Sequence, residues 1–248
     1  MRKILFFFLI SSVAFAQNNK VDPKLTEIWE PKPPVVMPAD NNQAPSDAIV
    51  LFNGSNFDEW ANANPQKSDE LWILNSDGSM TVKNKAGNIK TKKSFGSIQL
   101  HIEWKSPAEI KGKGQSRANS GIFLQSRYEI QVLDNNNNDT YVNGQVGSLY
   151  KRAIPLAMAS VKSGEWNTYD IIYMEPKFDK DGNVVRKATF TVLHNGILIH
   201  NNVVLEGPTV YRGTPPYKSH SKAPLLLQDH GDNSRVSYRN IWIRELED

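Results

Sequence analysis

The sequence predicts an all-β protein, built as a two-sheet antiparallel sandwich or jelly roll. Three observations predict it: clean apolar–polar alternation in several short segments, turn dipeptides between them, and no stretch with a long helical period. Many short strands joined by regular turns bury their apolar faces by packing sheet on sheet.

A leader precedes the domain. Arg2 and Lys3 form a positive head, Ile4 to Ile10 with Val13 to Phe15 an apolar run, and Ala14-Phe15-Ala16 a small-residue cleavage signal, so the mature chain is expected to begin at Gln17. The apolar run is shorter than a bilayer span, and no later segment is long and apolar enough to cross. A lipid anchor after the cleavage site would need a cysteine, and the sequence has none. A soluble protein, periplasmic or extracellular, is therefore expected. The missing cysteine also excludes disulfides, thiolate metal sites and a Cys nucleophile. Stability rests on a core, for which about 230 residues suffice. The formal charge is +3, and removing Arg2 and Lys3 lowers it by two. Near neutrality argues against nucleic acid, which demands a concentrated basic patch. The densest positive run, Lys90, Lys92 and Lys93, reads as a solvated strand edge.

Residues 17–45 carry Pro31, Pro33, Pro34, Pro38 and Pro45 and read as an extended, polyproline-like arm rather than a helix or a central strand. Trp29, Val35, Val36 and Met37 are too apolar for a free linker, so the arm is expected to lie against the domain. The domain itself is assigned to residues 46–248.

Within it, Ser97 to Trp104 sets Ile98, Leu100, Ile102 and Trp104 on one face and Gln99, His101 and Glu103 on the other. Tyr128 to Val132 sets Tyr128, Ile130 and Val132 against Glu129 and Gln131. Asn195-Gly196 between Ala188–Leu193 and Ile197–Val204 is a strong hairpin signal. Asp179 to Asn183 reads as a turn, because its glycine comes too early for a calcium loop and the closing Glu is absent. Leu225–Gln228 and Val236–Leu246 supply late strands.

Alternation also speaks to function. Polar residues two apart on a strand point to the same side, so His101 pairs with Glu103 and Glu129 with Gln131. Asn119 lies just before the Gly121–Gln125 strand. Should these strands neighbour one another, carboxylates, amides and an imidazole would line a common concave surface suited to a hydroxyl-rich ligand.

Further motifs give this pattern a family. Leu51-Phe52-Asn53-Gly54 with Trp60, Asn119 to Gln125, Tyr128 to Asp134, Gly164 to Asn167, His194-Asn195-Gly196, Leu227 to Gly231 and Arg239-Asn240-Ile241 occur in one order over about residues 48–247. This ordered set resembles the 3-keto-disaccharide hydrolase family. The resemblance implies a concanavalin A-like jelly roll and cleavage of glycosides that carry a ketone at carbon 3. The ketone acidifies the hydrogen on carbon 2, so a base can remove it, the aglycone can leave from carbon 1, and water can add to the enone. That route needs a base, an acid and a donor for the enolate oxygen.

Glu103 and Glu129 are the expected base and acid, without assignment between them, and His230 joins them as a catalytic candidate. Asn119, Gln131, Gln228, Arg239, Tyr150, Asp134 and His101 are the expected saccharide contacts, Asp134 leaning toward a structural role. No cofactor is called for with certainty. His101, Glu103, Glu129, Asp134 and His230 are suitable donors for a divalent metal, but no compact spacing supports one. Two alternatives stay open: a non-catalytic, lectin-like saccharide module, and a conventional glycoside hydrolase, whose two carboxyl groups would have to come from different strands.

Overall fold

A computed structural model describes residues 21–38, 43–66 and 69–247. The leader and its cleavage site lie outside the described residues. Contacts divide the chain into residues 1–35 and residues 36–248. In the first unit, Pro23–Thr26 forms one turn of 3-10 helix where an extended arm was expected. Proline is pre-set for a first turn, and Asp22 Oδ1 accepts from the Lys24 amide at 3.0 Å.

The regular structure of the second unit is nearly all strand. Its elements are β1 (Ile49–Phe52), β2 (Trp60–Asn62), β3 (Ile73–Leu74), β4 (Met80–Thr81), β5 (Ile89–Phe95), β6 (Ile98–Lys105), β7 (Ser120–Leu124) and β8 (Tyr128–Val132). They continue with β9 (Asn167–Met174), β10 (Lys177–Phe178), β11 (Val184–Arg186), β12 (Thr189–His194), β13 (Ile197–Val204), β14 (Ala223–Leu227) and β15 (Ser237–Glu245). One antiparallel sheet runs β13-β12-β9-β6-β15-β4-β3, with β1 also on β15, and the other runs β2-β5-β14-β7-β8. β10 and β11 form a separate ribbon. The chain passes from one sheet to the other between β5 and β6 and again between β14 and β15, as in a jelly-roll sandwich.

The expected alternation is what welds the sheets. Ile98, Leu100, Ile102 and Trp104 on β6 and Tyr128, Ile130 and Val132 on β8 are all buried. The inner faces meet directly: Tyr169 Oη on β9 donates to the Gln131 carbonyl at 2.9 Å, and Tyr238 Oη on β15 donates to Ser120 Oγ at 2.7 Å. Buried tyrosines thus satisfy their hydroxyls by reaching across the sandwich. The Asn195-Gly196 turn forms as expected, with φ of 51° and 77°, and joins the His194–Ile197 pair.

One expectation about an edge changes. The lysine run lies on β5, which is paired on both sides, by β2 and β14. Lys92 and Lys93 still reach solvent from that interior strand. The central strand β9 was not anticipated beyond its first residue, Asn167.

Candidate active site

The shared surface expected for Glu103 and Glu129 does not form. Glu103 stands on β6 in one sheet and Glu129 on β8 in the other, each one position out of step with the core residues of its strand. Each side chain therefore points away from the core, which lies between them. The sandwich carries two separate polar sites, one on each outer face.

On the β6 face, Glu103 Oε2 accepts from Arg239 Nε at 2.6 Å and Oε1 from Asn240 Nδ2 at 2.9 Å. His101 Nδ1 meets Asp170 Oδ1 at 2.7 Å, and its ring stacks on Trp242 with centroids 5.0 Å apart. Burial alone would raise the Glu103 pKa, but hydrogen bonds from His101, Asn240 and Arg239 hold it down to about 2. Burial opposes the charge on His101 too, yet Asp170 and Glu103 lift its pKa to about 9. These groups form a hydrogen-bonded ion network on this face. Glu103, Arg239 and Asn240 line a recess of about 510 Å³.

On the other face, Glu129 lines a cleft of about 270 Å³. One wall brings Gln115, Asn119, Gln228 and His230, and the other brings Tyr150, Thr209 and Tyr211. The walls follow from the sheet order. Gln228 and His230 come off the end of β14, Asn119 precedes β7, and β8 is the edge strand beyond them. The segments outside β8 attach through Glu129 itself: its amide donates to Thr209 Oγ1 at 2.9 Å, and its carbonyl accepts from the Tyr150 amide at 3.1 Å.

Glu129 is only 6% exposed. Burial pushes its pKa up to about 8, and no cation partner opposes the shift. Turned with its nitrogen toward the carboxyl, the Gln131 amide donates to Glu129 Oε1 at 3.1 Å. Gln131, expected to touch saccharide, is itself 1% exposed and supports Glu129 instead. Asn119 has its Nδ2 taken by the Gln115 carbonyl at 2.7 Å. Gln228 Oε1 is buried without a hydrogen-bond partner among the described residues.

Behind His230 stands a residue the sequence analysis missed. Asp232 Oδ2 lies 3.1 Å from His230 Nδ1, close enough to pair with the ring when it is charged, but neither buried oxygen of Asp232 has a hydrogen-bond partner among the described residues. The Asp229-His230-Gly231-Asp232 sequence carried that signal. Gln115, Thr209 and Tyr211 had none, since they arrive on loops from distant positions.

Asp134 belongs to neither site. Its oxygens accept from Arg117 Nε at 3.0 Å, Ser106 Oγ at 2.9 Å and Ser163 Oγ at 2.6 Å. Burial would raise its pKa, but those three donors lower it, as suits a loop-tying carboxylate. The five candidate metal donors are thus split: His101 with Glu103, Glu129 with His230, and Asp134 apart. Among the described residues no three His, Asp or Glu side chains gather into a metal site. No described helix is long and apolar enough to cross a membrane.

The molecule is a jelly-roll protein of the carbohydrate-acting kind, with a cleft holding a protonatable carboxyl beside an imidazole–carboxylate pair. The chain belongs to the 3-keto-disaccharide hydrolase family, whose model, described as a 3-keto-alpha-glucoside-1,2-lyase-like domain, matches residues 47–244. It is similar to a candidate glycosyl hydrolase of known structure from Parabacteroides distasonis ATCC 8503, with 49% identity and a TM-score of 0.86, covering 91% of this chain and 97% of that one. A second candidate glycosyl hydrolase from the same organism shares the fold at 22% identity and a TM-score of 0.60, covering 81% of this chain and 94% of that one. No curated protein matches the chain.

Proposed function

We propose that this protein cleaves the glycosidic bond of 3-keto-glycosides in the Glu129 cleft, by removal of the carbon-2 hydrogen, elimination and hydration. The observation that carries the reading is Glu129: a buried carboxyl, pushed up to about 8 by burial, in a cleft with no Lys or Arg among its described lining residues. At neutral pH such a group holds its proton and can donate it to a leaving oxygen.

His230, with the Asp232 carboxylate 3.1 Å from its Nδ1, is the base for carbon 2. Its other nitrogen takes the hydrogen, and the C–H electrons form the enolate with the carbon-3 ketone. As the enolate collapses to an enone, the bond from carbon 1 to the leaving oxygen breaks and Glu129 protonates that oxygen. Water then adds at carbon 1, and carbon 2 recovers a proton. Asn119 and Gln228 hold the ring hydroxyls. The conventional retaining or inverting route needs a second carboxyl at a defined distance. Glu129 is the only carboxylate among the described residues that line the cleft, which favours elimination.

The test is aglycone release from a 3-keto-glucoside and from its unoxidised parent. The wild type should cleave the first and spare the second, and Glu129→Gln should slow the reaction about 10²–10⁴-fold. Cleavage of the unoxidised parent would replace elimination with conventional hydrolysis. Saccharide binding without any cleavage would make the domain a lectin-like module.

A further inference from the structure

Two sequence motifs have no part in the Glu129 cleft: Leu51-Phe52-Asn53-Gly54 and Arg239-Asn240-Ile241. The fold brings both to the 510 Å³ recess on the opposite face, where Phe52, Asn53, Arg239 and Asn240 line it. Pairing of β1 with β15 puts Val50 opposite Trp242 and Phe52 opposite Ile241. Beyond β1 the chain turns against the β3–β4 connection, so closely that a Cβ on Gly54 would lie 2.6 Å from the Gly78 carbonyl oxygen. That close approach brings Asn53 and Asp77, the residues before the two glycines, to the same recess. The wall at Ala44-Pro45 is anchored two residues on, where Asp47 accepts from Arg244 Nε at 2.8 Å and Nη2 at 2.7 Å.

The polar groups here are held in place yet keep unused capacity. Arg239 gives its Nε to Glu103, and its guanidinium lies 4.2 Å from the Trp166 ring centroid, which fixes its plane. Among the described residues no hydrogen bond engages its two Nη atoms, the Asn240 Oδ1 or the Asn53 Nδ2. The first and last of these donate and Asn240 Oδ1 accepts. Val50, 44% exposed, adds an apolar wall with Pro45 and the edge of Trp242. Both carboxylates that line the recess already have a cation: Glu103 has Arg239, and Asp77 Oδ2 lies 4.0 Å from Lys105 Nζ.

We propose that this recess is a second saccharide-binding site, one that holds a neutral sugar and performs no chemistry. Charge selects a neutral ligand: an anion would meet Glu103 and Asp77, and a cation would meet the Arg239 guanidinium. The mixture of free donors and acceptors selects hydroxyls, which do both. A pyranose ring can lay its C–H face on the apolar wall and turn its hydroxyls to Arg239, Asn240 and Asn53. The volume falls within the range of about 300–1,000 Å³ usual for small-ligand sites. Glu103 is held ionised by its donors, with a pKa of about 2, so the recess has no acid for a leaving oxygen at neutral pH. Because the two sites lie on opposite outer faces, a sugar bound here leaves the Glu129 cleft free. Such a site holds the protein on saccharide-rich material and raises the local concentration of substrate at the cleft. The inference does not depend on the cleavage reading.

The experiment titrates the protein with cellobiose, maltose and glucuronate and follows the Trp242 indole signal by NMR, assigned with Trp242→Phe. Trp242 lines the recess, and no Trp is among the described residues that line the Glu129 cleft, so the signal reports on the recess. A neutral disaccharide should shift it saturably, in wild type and in Glu129→Gln alike, and glucuronate should bind more weakly. Asn53→Ala, at an exposed turn, should weaken binding about 2- to 10-fold, and Arg239→Gln about 10-fold or more. Melting curves confirm that each variant is folded, and if Arg239→Gln is not, Asn53→Ala decides alone. No saturable shift with either disaccharide, or an affinity unchanged in a folded variant, overturns the site. Glucuronate bound as tightly as the neutral sugars overturns the ligand class. A shift lost in Glu129→Gln would assign the binding to the catalytic cleft and overturn the second site.

Discussion

Gly121 is a glycine because Glu129 occupies the space where a side chain would be. On the paired strands β7 and β8, a Cβ built on Gly121 would lie 2.3 Å from Glu129 Oε1 and 2.7 Å from the Phe123 ring. The backbone there needs no left-handed conformation, so the requirement is close approach alone. Gly121→Ala should therefore displace the carboxyl from the cleft. The expected result is a loss of about 1–3 kcal/mol from overpacking, with turnover falling further than the melting temperature implies. An alanine variant with wild-type activity would show that the carboxyl position is not critical.

The pH dependence of Glu129 has a definite sign. The group ordinarily titrates at 4.5 and is pushed up to about 8 when buried. The folded protein therefore keeps a proton that the unfolded chain releases over that interval. The stability it contributes is complete below about pH 4.5 and is lost as pH rises through about 8. Melting curves of wild type and Glu129→Gln between about pH 4 and 9 should diverge in favour of the variant as pH rises. Parallel curves would mean that the carboxyl titrates in its ordinary range. Activity that depends on the protonated acid should fall on the alkaline side of the same value.

Glu103 predicts the opposite behaviour on the opposite face. Its pKa is depressed from 4.5 to about 2, so its contribution is complete above about pH 4.5 and vanishes as pH falls toward 2. His101, raised from 6.5 to about 9, contributes fully below about pH 6.5 and loses its share as pH rises through 9. Glu103→Gln should cost about 1–3 kcal/mol near pH 6, since Arg239 and Asn240 lose a charged acceptor. The deficit should shrink near pH 3, while the folded variant still turns over substrate. A Glu103→Gln enzyme that folds normally but is inactive would return this residue to the chemistry.

At the β12–β13 hairpin, Gly196 adopts φ of 77° with open space around its missing Cβ. Any cost of substitution is therefore backbone strain and nothing else. Gly196→Val should destabilise by about 1–3 kcal/mol in denaturant titration, with activity per folded molecule preserved. An unchanged midpoint would show that the turn relaxes to another type.

The hairpin was legible because Asn-Gly states its own geometry, and β8 because five alternating residues need no partner to show their period. The Glu129–Gln131 pair, Asn119, Gln228 and His230 likewise came from motifs within single segments, and the fold brings them, with Tyr150, to one cleft or directly behind it. Asp232 was present two residues past His230 but has no meaning until the loop turns its oxygens inward. Tyr211 and Thr209 reach the site from a loop that attaches to the β8 edge through one threonine.

Alternation along a strand determined which side chains face the core and which face out, because the pleat repeats every two residues whatever the strand's neighbours. It made Glu103 and Glu129 both outward residues, and that was correct. Which outward face each belongs to was decided only by pairing between strands distant in the sequence: β6 joined β9 and β15, and β8 joined β7. A two-layer sandwich has two exteriors. The apolar core that alternation creates is the barrier that places those carboxylates on opposite sides of the molecule.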